Sequence, residues 1–202
     1  IATKFTINDE NAIGAGPHEI HGMHVGHVPE DREKDGLVAQ YSIANNMVLN
    51  RFDEPEFSRR GIRNMDAVNS LATKLVKDFD VRTPSIKTPA NSLSGGNKQK
   101  VVIARELSAN PSLLIASQPT RGVDVGSIEF IHSQIISARD KGAAVLLVSA
   151  ELDEVLGLSD RILVMYDGQI VAELEGASAD RAEIGRLMAG GHSVMAEESL
   201  HG

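Results

Sequence analysis

The residues Leu93-Ser94-Gly95-Gly96-Asn97-Lys98-Gln99-Lys100 stand just ahead of an apolar run, Val101-Val102-Ile103-Ala104, and Leu107. A capping serine and two small residues that give way to a helical pattern place Ser94, Gly95 and Gly96 at a helix N-terminus. The first N–H groups of a helix lack intrahelical acceptors and the dipole there is positive, so the chemistry on offer is anion binding, phosphate above all. An ordinary helix start that carries two glycines is the alternative. A second group follows: a buried-type strand, Leu113-Leu114-Ile115-Ala116, then Pro119-Thr120-Arg121-Gly122-Val123-Asp124, which begins twelve residues past Leu107.

Other chemistries are weaker in this sequence. His18, His21, His24 and His27 recur every three residues. On a helix they would form a metal-binding ridge, but Gly22 and Gly26 interrupt any helix, and on a strand residues three apart face opposite ways. There is no cysteine, hence no disulfide and no thiolate chemistry, which fits a reducing compartment. The formal charge of −8 argues against a basic nucleic-acid surface. Arg59, Arg60 and Arg63 form the local exception, as a solvated loop or a partner contact. No apolar stretch approaches the roughly 20 residues of a membrane span, so a membrane role would be peripheral. The composition, 42% hydrophobic and 24% charged over 202 residues, is that of an ordinary globular protein with one or two domains.

The elements that position these residues follow from periodicity. Thr3 to Asn8 reads as an edge strand, Pro17 to Ile20 as a turn or short helix, and Val25 to Val28 as a strand that leads into Pro29-Glu30-Asp31-Arg32, where Glu30 and Arg32 could pair across a turn. From Asn64 onward, Met65, Val68, Ala72, Leu75, Val76 and Phe79 mark one face of an amphipathic helix, with Lys74, Lys77 and Asp78 outward. Ile128, Ile131, Ile135 and Ala138 mark another, stopped at Lys141-Gly142. The continuous run Ala143 to Ser149 suits a strand buried on both faces of a parallel sheet. Glu151 to Leu156 predicts a short helix, and Arg161 to Tyr166 with Gln169 to Glu173 a hairpin turning at Asp167-Gly168. A last helix, capped by Ser178, turns Ile184, Leu187 and Met188 inward. No internal repeat is visible.

Leu-Ser-Gly-Gly, a helix, a strand and then Pro-Thr-Arg-Gly-Val-Asp resemble, in order and spacing, the signature motif, Walker B strand and D-loop of ATP-binding cassette (ABC) ATPases. The Val28-Pro29-Glu30-Asp31-Arg32 segment, with Lys34-Asp35-Gly36-Leu37-Val38 after it, resembles the second ATPase half of bacterial importers for simple sugars and nucleosides, and the wording after Ser117-Gln118 is closer to the nucleoside-type branch. The resemblance implies an α/β fold: a P-loop NTPase-like ABC ATPase core with a mostly parallel sheet, an antiparallel β edge and an inserted helical subdomain. It implies residues 1–35 as part of a β-subdomain and Q-loop region, 36–92 as the helical subdomain facing the membrane subunits, 93–190 as signature helix and core, and 191–202 as a loose tail. It places Glu30 at the Q-loop position, Ser94, Gly95, Gly96, Asn97 and Gln99 in the signature, and Asp124 in the D-loop.

The sequence also departs from the family's pattern. ATP is usually cradled by a Gly-x-x-x-x-Gly-Lys-Ser/Thr loop, and no glycine here is followed by lysine. The chain is expected to start downstream of that loop, as a fragment, or to have lost it. Aligned on Pro119-Thr120, Ser117 takes the Walker B aspartate position and Gln118 that of the catalytic glutamate, and Ala150 follows Ser149 where the family carries its switch histidine. Loss of a general base costs roughly 10² to 10⁴ in rate. The resemblance therefore implies a half whose own site is degenerate and which donates its signature to an ATP, with Mg2+, held mainly by an N-terminal ATPase half of the same polypeptide or a paired ATPase. Permease subunits in the membrane, a solute-binding protein acting indirectly and a peripheral place at the cytoplasmic face complete the expectation, with no nucleic acid and no metal site of its own. A non-catalytic regulatory module that kept the fold is the alternative.

Overall fold

The computed structural model describes residues 4–190, so the tail at 191–202 and the first residue of the expected Thr3 strand lie outside the described residues. The chain divides into two compact units, Ile1–Val148 and Ser149–Gly202.

The first unit is built on a parallel three-stranded sheet. Strand β3 (Val25–Val28) pairs with β6 (Leu113–Ser117), and β6 with β7 (Ala144–Val148). Parallel strands need long crossovers. That between β3 and β6 carries α2 (Ile43–Met47), α3 (Met65–Asp78) and α4 (Gly95–Ser108), and that between β6 and β7 carries α5 (Val125–Asp140). Alternation along the strands sends Val28, Leu114, Ala116, Val145 and Leu147 into one core with Ile43, Met47, Phe57, Val68, Leu75, Val101 to Ala104, and Ile131. Leu113 and Ile115 pack instead with Val25, Ile7, Ala12 and Ile20.

Several expectations are corrected. The first strand is only β1 (Thr6–Ile7), because Asn8 and Asp9 turn through left-handed φ angles of 48° and 65° into β2 (Glu10–Asn11). The antiparallel ladders are separate two-stranded sheets, not an edge of the parallel one. Pro17 does open a helix, α1 (Pro17–Gly22). In α3 the apolar face begins at Val68; Met65, in the first turn, is 42% exposed. Arg59 and Arg63 lie on the hairpin of β4 (Ser58–Arg59) and β5 (Ile62–Arg63), whose turn uses positive φ at Arg60 and Gly61. The apolar β7 is an end strand: Leu146 and Val148, on the face away from the helices, are half exposed.

In the second unit α6 (Leu152–Leu158) precedes a hairpin, β8 (Arg161–Tyr166) and β9 (Gln169–Glu175), that turns at Asp167-Gly168 as expected. Helix α7 (Arg181–Met188) buries Ile184 and Leu187 against Ile162 and Val164, while Met188 stays exposed. Its cap is Asp180, which accepts from Glu183 N–H at 3.1 Å. Ser178 closes the preceding short turn by donating to Glu175 O.

Candidate functional site

Ser94 caps α4 as its sequence position requires. Its Oγ accepts from Asn97 N–H at 3.4 Å and from Asn97 Nδ2 at 2.9 Å, while Asn97 Oδ1 accepts from Arg82 N–H at 2.7 Å. Lys98 N–H takes Ser94 O. The amides of Gly95 and Gly96 are then the two first-turn donors left for an outside acceptor. Both glycines are set by close approach. A β-carbon on Gly95 would lie 2.9 Å from Arg32 Nη2 and 3.2 Å from Gly122 O. One on Gly96 would lie 2.5 Å from Asp124 Oδ2 and 2.6 Å from Ser127 Oγ. Gln99 differs from its neighbours: it is 1% exposed, with Oε1 buried and unpartnered, so its side chain belongs to the interior of α4's packing.

The loop after β6 lies against this turn. Ser117 ends β6 opposite Val148, and Gln118, with φ of +49°, donates its N–H to Val148 O at 2.7 Å. The loop closes on Gln118 O through Arg121 N–H and turns again at Gly122, φ +65°. Asp124 caps α5, accepting from Ser127 N–H at 3.1 Å and Ser127 Oγ at 2.9 Å, and these bonds hold its carboxyl below the ordinary value.

Glu30 and Arg32, which could have paired with each other, both reach this loop instead. The Glu30 carboxylate meets the Arg121 guanidinium, and Arg32 donates to Arg121 O at 2.7 Å and Gly122 O at 3.3 Å. Asp31 caps a π-helical turn, Arg32–Gly36, that supports them, and Glu33 pairs with Lys98 of α4 at 2.8 Å. The structure thus gathers Glu30, Ser94, Gly95, Gly96, Asn97 and Asp124 about one turn. Ala150 lies in the second unit, where it is exposed. Among the described residues no cluster of three His, Asp or Glu side chains has a metal-binding arrangement; His24 has left-handed φ and His27 lies in β3.

Sequence reasoning gave Arg32 another partner, Glu30, and missed the buried pair Arg105–Glu106. Arg105 Nε meets Glu106 Oε1 at 2.7 Å and its Nη1 donates to Gly36 O, while Glu106 also accepts from His27 N–H and Asn50. Two adjacent charges inside an otherwise buried helix stretch were the available signal.

The fold is that of known ATP-binding cassettes. The cassette MJ0796, solved as a dimer in a post-hydrolysis state bound to ADP and Pi, superposes with a TM-score of 0.69 at 23% identity, covering 84% of this chain and 71% of that one. The cassette MJ1267 gives 0.67 at 23% identity over 90% and 71%. The family described as ABC transporter matches residues 4–121. The chain belongs to the ABC transporter family. Within it, the nucleoside import ATP-binding protein NupA of Lactococcus lactis is 47% identical over 186 residues, 92% of this chain and 37% of its own length. The guanosine import ATP-binding protein NupO of Bacillus subtilis is 44% identical over 92% of this chain and 36% of its own. The glucose import ATP-binding protein TsgD13 of Haloferax volcanii is 41% identical over 96% and 36%. The chain spans a little over a third of the length of these ABC relatives.

Proposed function

We propose that this chain is the C-terminal ATPase half of the energising subunit of an ABC importer for nucleosides or simple sugars. In this reading it lends the start of α4 to an ATP held by another ATPase half, an N-terminal half of the same polypeptide or a paired ATPase. The observation that carries the reading is the turn at Ser94: two glycine amides are left for an outside acceptor, while the side of each glycine where a β-carbon would stand packs on Arg32, Gly122, Asp124 and Ser127. The identity to nucleoside importers supports the substrate class.

ATP supplies the scissile phosphoanhydride, and this chain's own residues bind and orient its terminal phosphate. Gly95 and Gly96 offer N–H groups at the positive end of the α4 dipole, and Ser94 can turn its hydroxyl proton to a phosphate oxygen while its lone pairs cap the helix. The chain's own face does not fit Mg2+: Ser117 and Gln118 are neutral, and the Glu30 carboxylate is already matched by Arg121. The magnesium and the general base are therefore assigned to the other half. Residues 36–92 would face the permease subunits, with a solute-binding protein acting indirectly, at the cytoplasmic face of the membrane. No described helix is long and apolar enough to cross it.

The test is ATP hydrolysis by the complete transporter carrying Ser94→Asp or Ser94→Arg, against Gln118→Ala. Aspartate keeps the cap, so α4 survives, but sets a negative charge against the phosphate. Both Ser94 variants are expected to reduce hydrolysis to background and Gln118→Ala to change it less than about threefold. The opposite ranking overturns the assignment and favours a regulatory module.

A further inference from the structure

We propose that Arg32 is a positioning residue, a clamp that fixes the loop carrying Asp124 against the first turn of α4. The inference rests on the reading of Ser94 to Gly96 as the phosphate-facing turn.

The guanidinium bridges two successive carbonyls of one loop, Nη1 to Arg121 O at 2.7 Å and Nη2 to Gly122 O at 3.3 Å, 89 and 90 residues away in sequence. Its Nε is buried without an acceptor, so this side chain is committed to those two carbonyls. The same Nη2 and Gly122 O are the atoms that a β-carbon on Gly95 would strike. The guanidinium therefore lies between the signature turn and the loop, touching both.

Its base is rigid. The π-helical turn that carries Arg32 is capped by Asp31, and its last residue, Gly36, packs against Val102 of α4 and gives its carbonyl to Arg105 at 2.7 Å. Glu33 ties the same turn to α4 through Lys98, whose side chain is largely covered. The loop has left-handed residues at Gln118 and Gly122 and two internal backbone bonds, Arg121 N–H to Gln118 O and Val123 N–H to Thr120 O, and it is tied outward through Gln118 N–H to Val148 O and Arg121 to Glu30. Beside Arg32, the loop meets α4 where Gly122 O approaches Gly95, where Asp124 and Ser127 pack on Gly96, and where Val123 packs on the core that holds Val101 to Ala104. A planar fork spans two carbonyls in fixed geometry, and a lysine ammonium does not. The consequence is that the segment after β3, the Ser94 turn and the start of α5 respond as one block, so a push on the residues around Glu30 is delivered to the phosphate-facing amides without slack.

The experiment uses the complete transporter and two readouts. Amide hydrogen exchange in Arg32→Gln is expected to rise about tenfold over residues 121–127 and to stay unchanged in α3. Turnover is expected to fall about tenfold while the KM for ATP stays within about twofold, because the clamp sets geometry and not affinity. Arg32→Lys, which keeps the charge and the aliphatic stem, should not restore turnover. Unchanged exchange at 121–127 overturns the clamp, and so does raised exchange with unchanged turnover in a transporter whose hydrolysis Ser94→Asp abolishes. If Arg32→Gln unfolds the chain, exchange in α3 rises as well, and Arg32→Lys then carries the test: a rise confined to 121–127 supports the clamp and none overturns it. Exchange is read without turnover, so failure of the clamp is distinct from failure of the signature reading, which shows as normal hydrolysis in Ser94→Asp.

Discussion

Gly96→Ala isolates the packing that brings the start of α4 against α5. Replacing a helical glycine by alanine normally stabilises by up to about 1 kcal/mol, because alanine has the higher helix propensity. At Gly96 the new β-carbon would sit 2.5 Å from Asp124 Oδ2, 2.6 Å from Ser127 Oγ and 3.1 Å from Ser127 Cβ. Asp124 cannot swing aside cheaply, since its carboxylate holds Ser127 N–H and Oγ as the α5 cap. Overpacking costs about 1–3 kcal/mol and a lost cap about 1 kcal/mol, so after the gain in propensity a net loss of about 1–3 kcal/mol is expected. Gly185→Ala in α7, where a β-carbon meets nothing within 4 Å, serves as the control and should stabilise. The assay is urea unfolding of both variants and of a double-mutant cycle with Asp124→Ala. Once the carboxylate is gone Ser127 is free to rotate, so Gly96→Ala should cost little on that background, a coupling of about 1–2 kcal/mol. Strict additivity, or a Gly96→Ala variant as stable as Gly185→Ala, would refute the account of this contact.

Glu106→Ala should cost about 3–5 kcal/mol by urea unfolding, because it leaves Arg105 charged and buried and removes the acceptor of His27 N–H and Asn50; a loss below about 1 kcal/mol would show the pair to be dispensable. Acid should weaken the first unit through Asp124 and Asp80. Hydrogen bonds from Ser127 to the first and from Lys100 to the second lower both carboxyls from the ordinary 3.8. A lowered folded value means that the stabilisation is complete above 3.8 and is lost as pH falls from there through the folded value. The difference in urea midpoint between the native chain and Asp124→Asn, present at about pH 6, should therefore narrow as the pH falls below 3.8.

Local chemistry was the legible part of this sequence. The serine before two glycines gave the start of α4, the apolar runs gave β6 and β7, and Asp167-Gly168 gave the β8–β9 turn, because each depends on residues close in the chain. Exposure of β7 was not legible: an apolar run reads the same at the end of a sheet as in its middle, and only the neighbours decide. The cap of α7 was legible and misread, since Asp180 stands three residues before Glu183 as a capping pair does. Of the site, the signature positions and Asp124 were named from the motif. Arg32 was named only as a partner for Glu30, because its actual partners are carbonyl oxygens, which every residue has and no sequence pattern announces.

The pairing of β3 with β6 has a consequence during synthesis. Val25 and its partner Leu113 are 88 residues apart. At translation rates of about 5–20 residues per second, β3 leaves the ribosome roughly 4–18 s before the strand that completes it. For that interval β3 lacks β6, the strand it pairs with, while the sequence that follows can already form local helix. Birth order thus makes the strand beside Glu30 wait several seconds for the partner that completes its ladder.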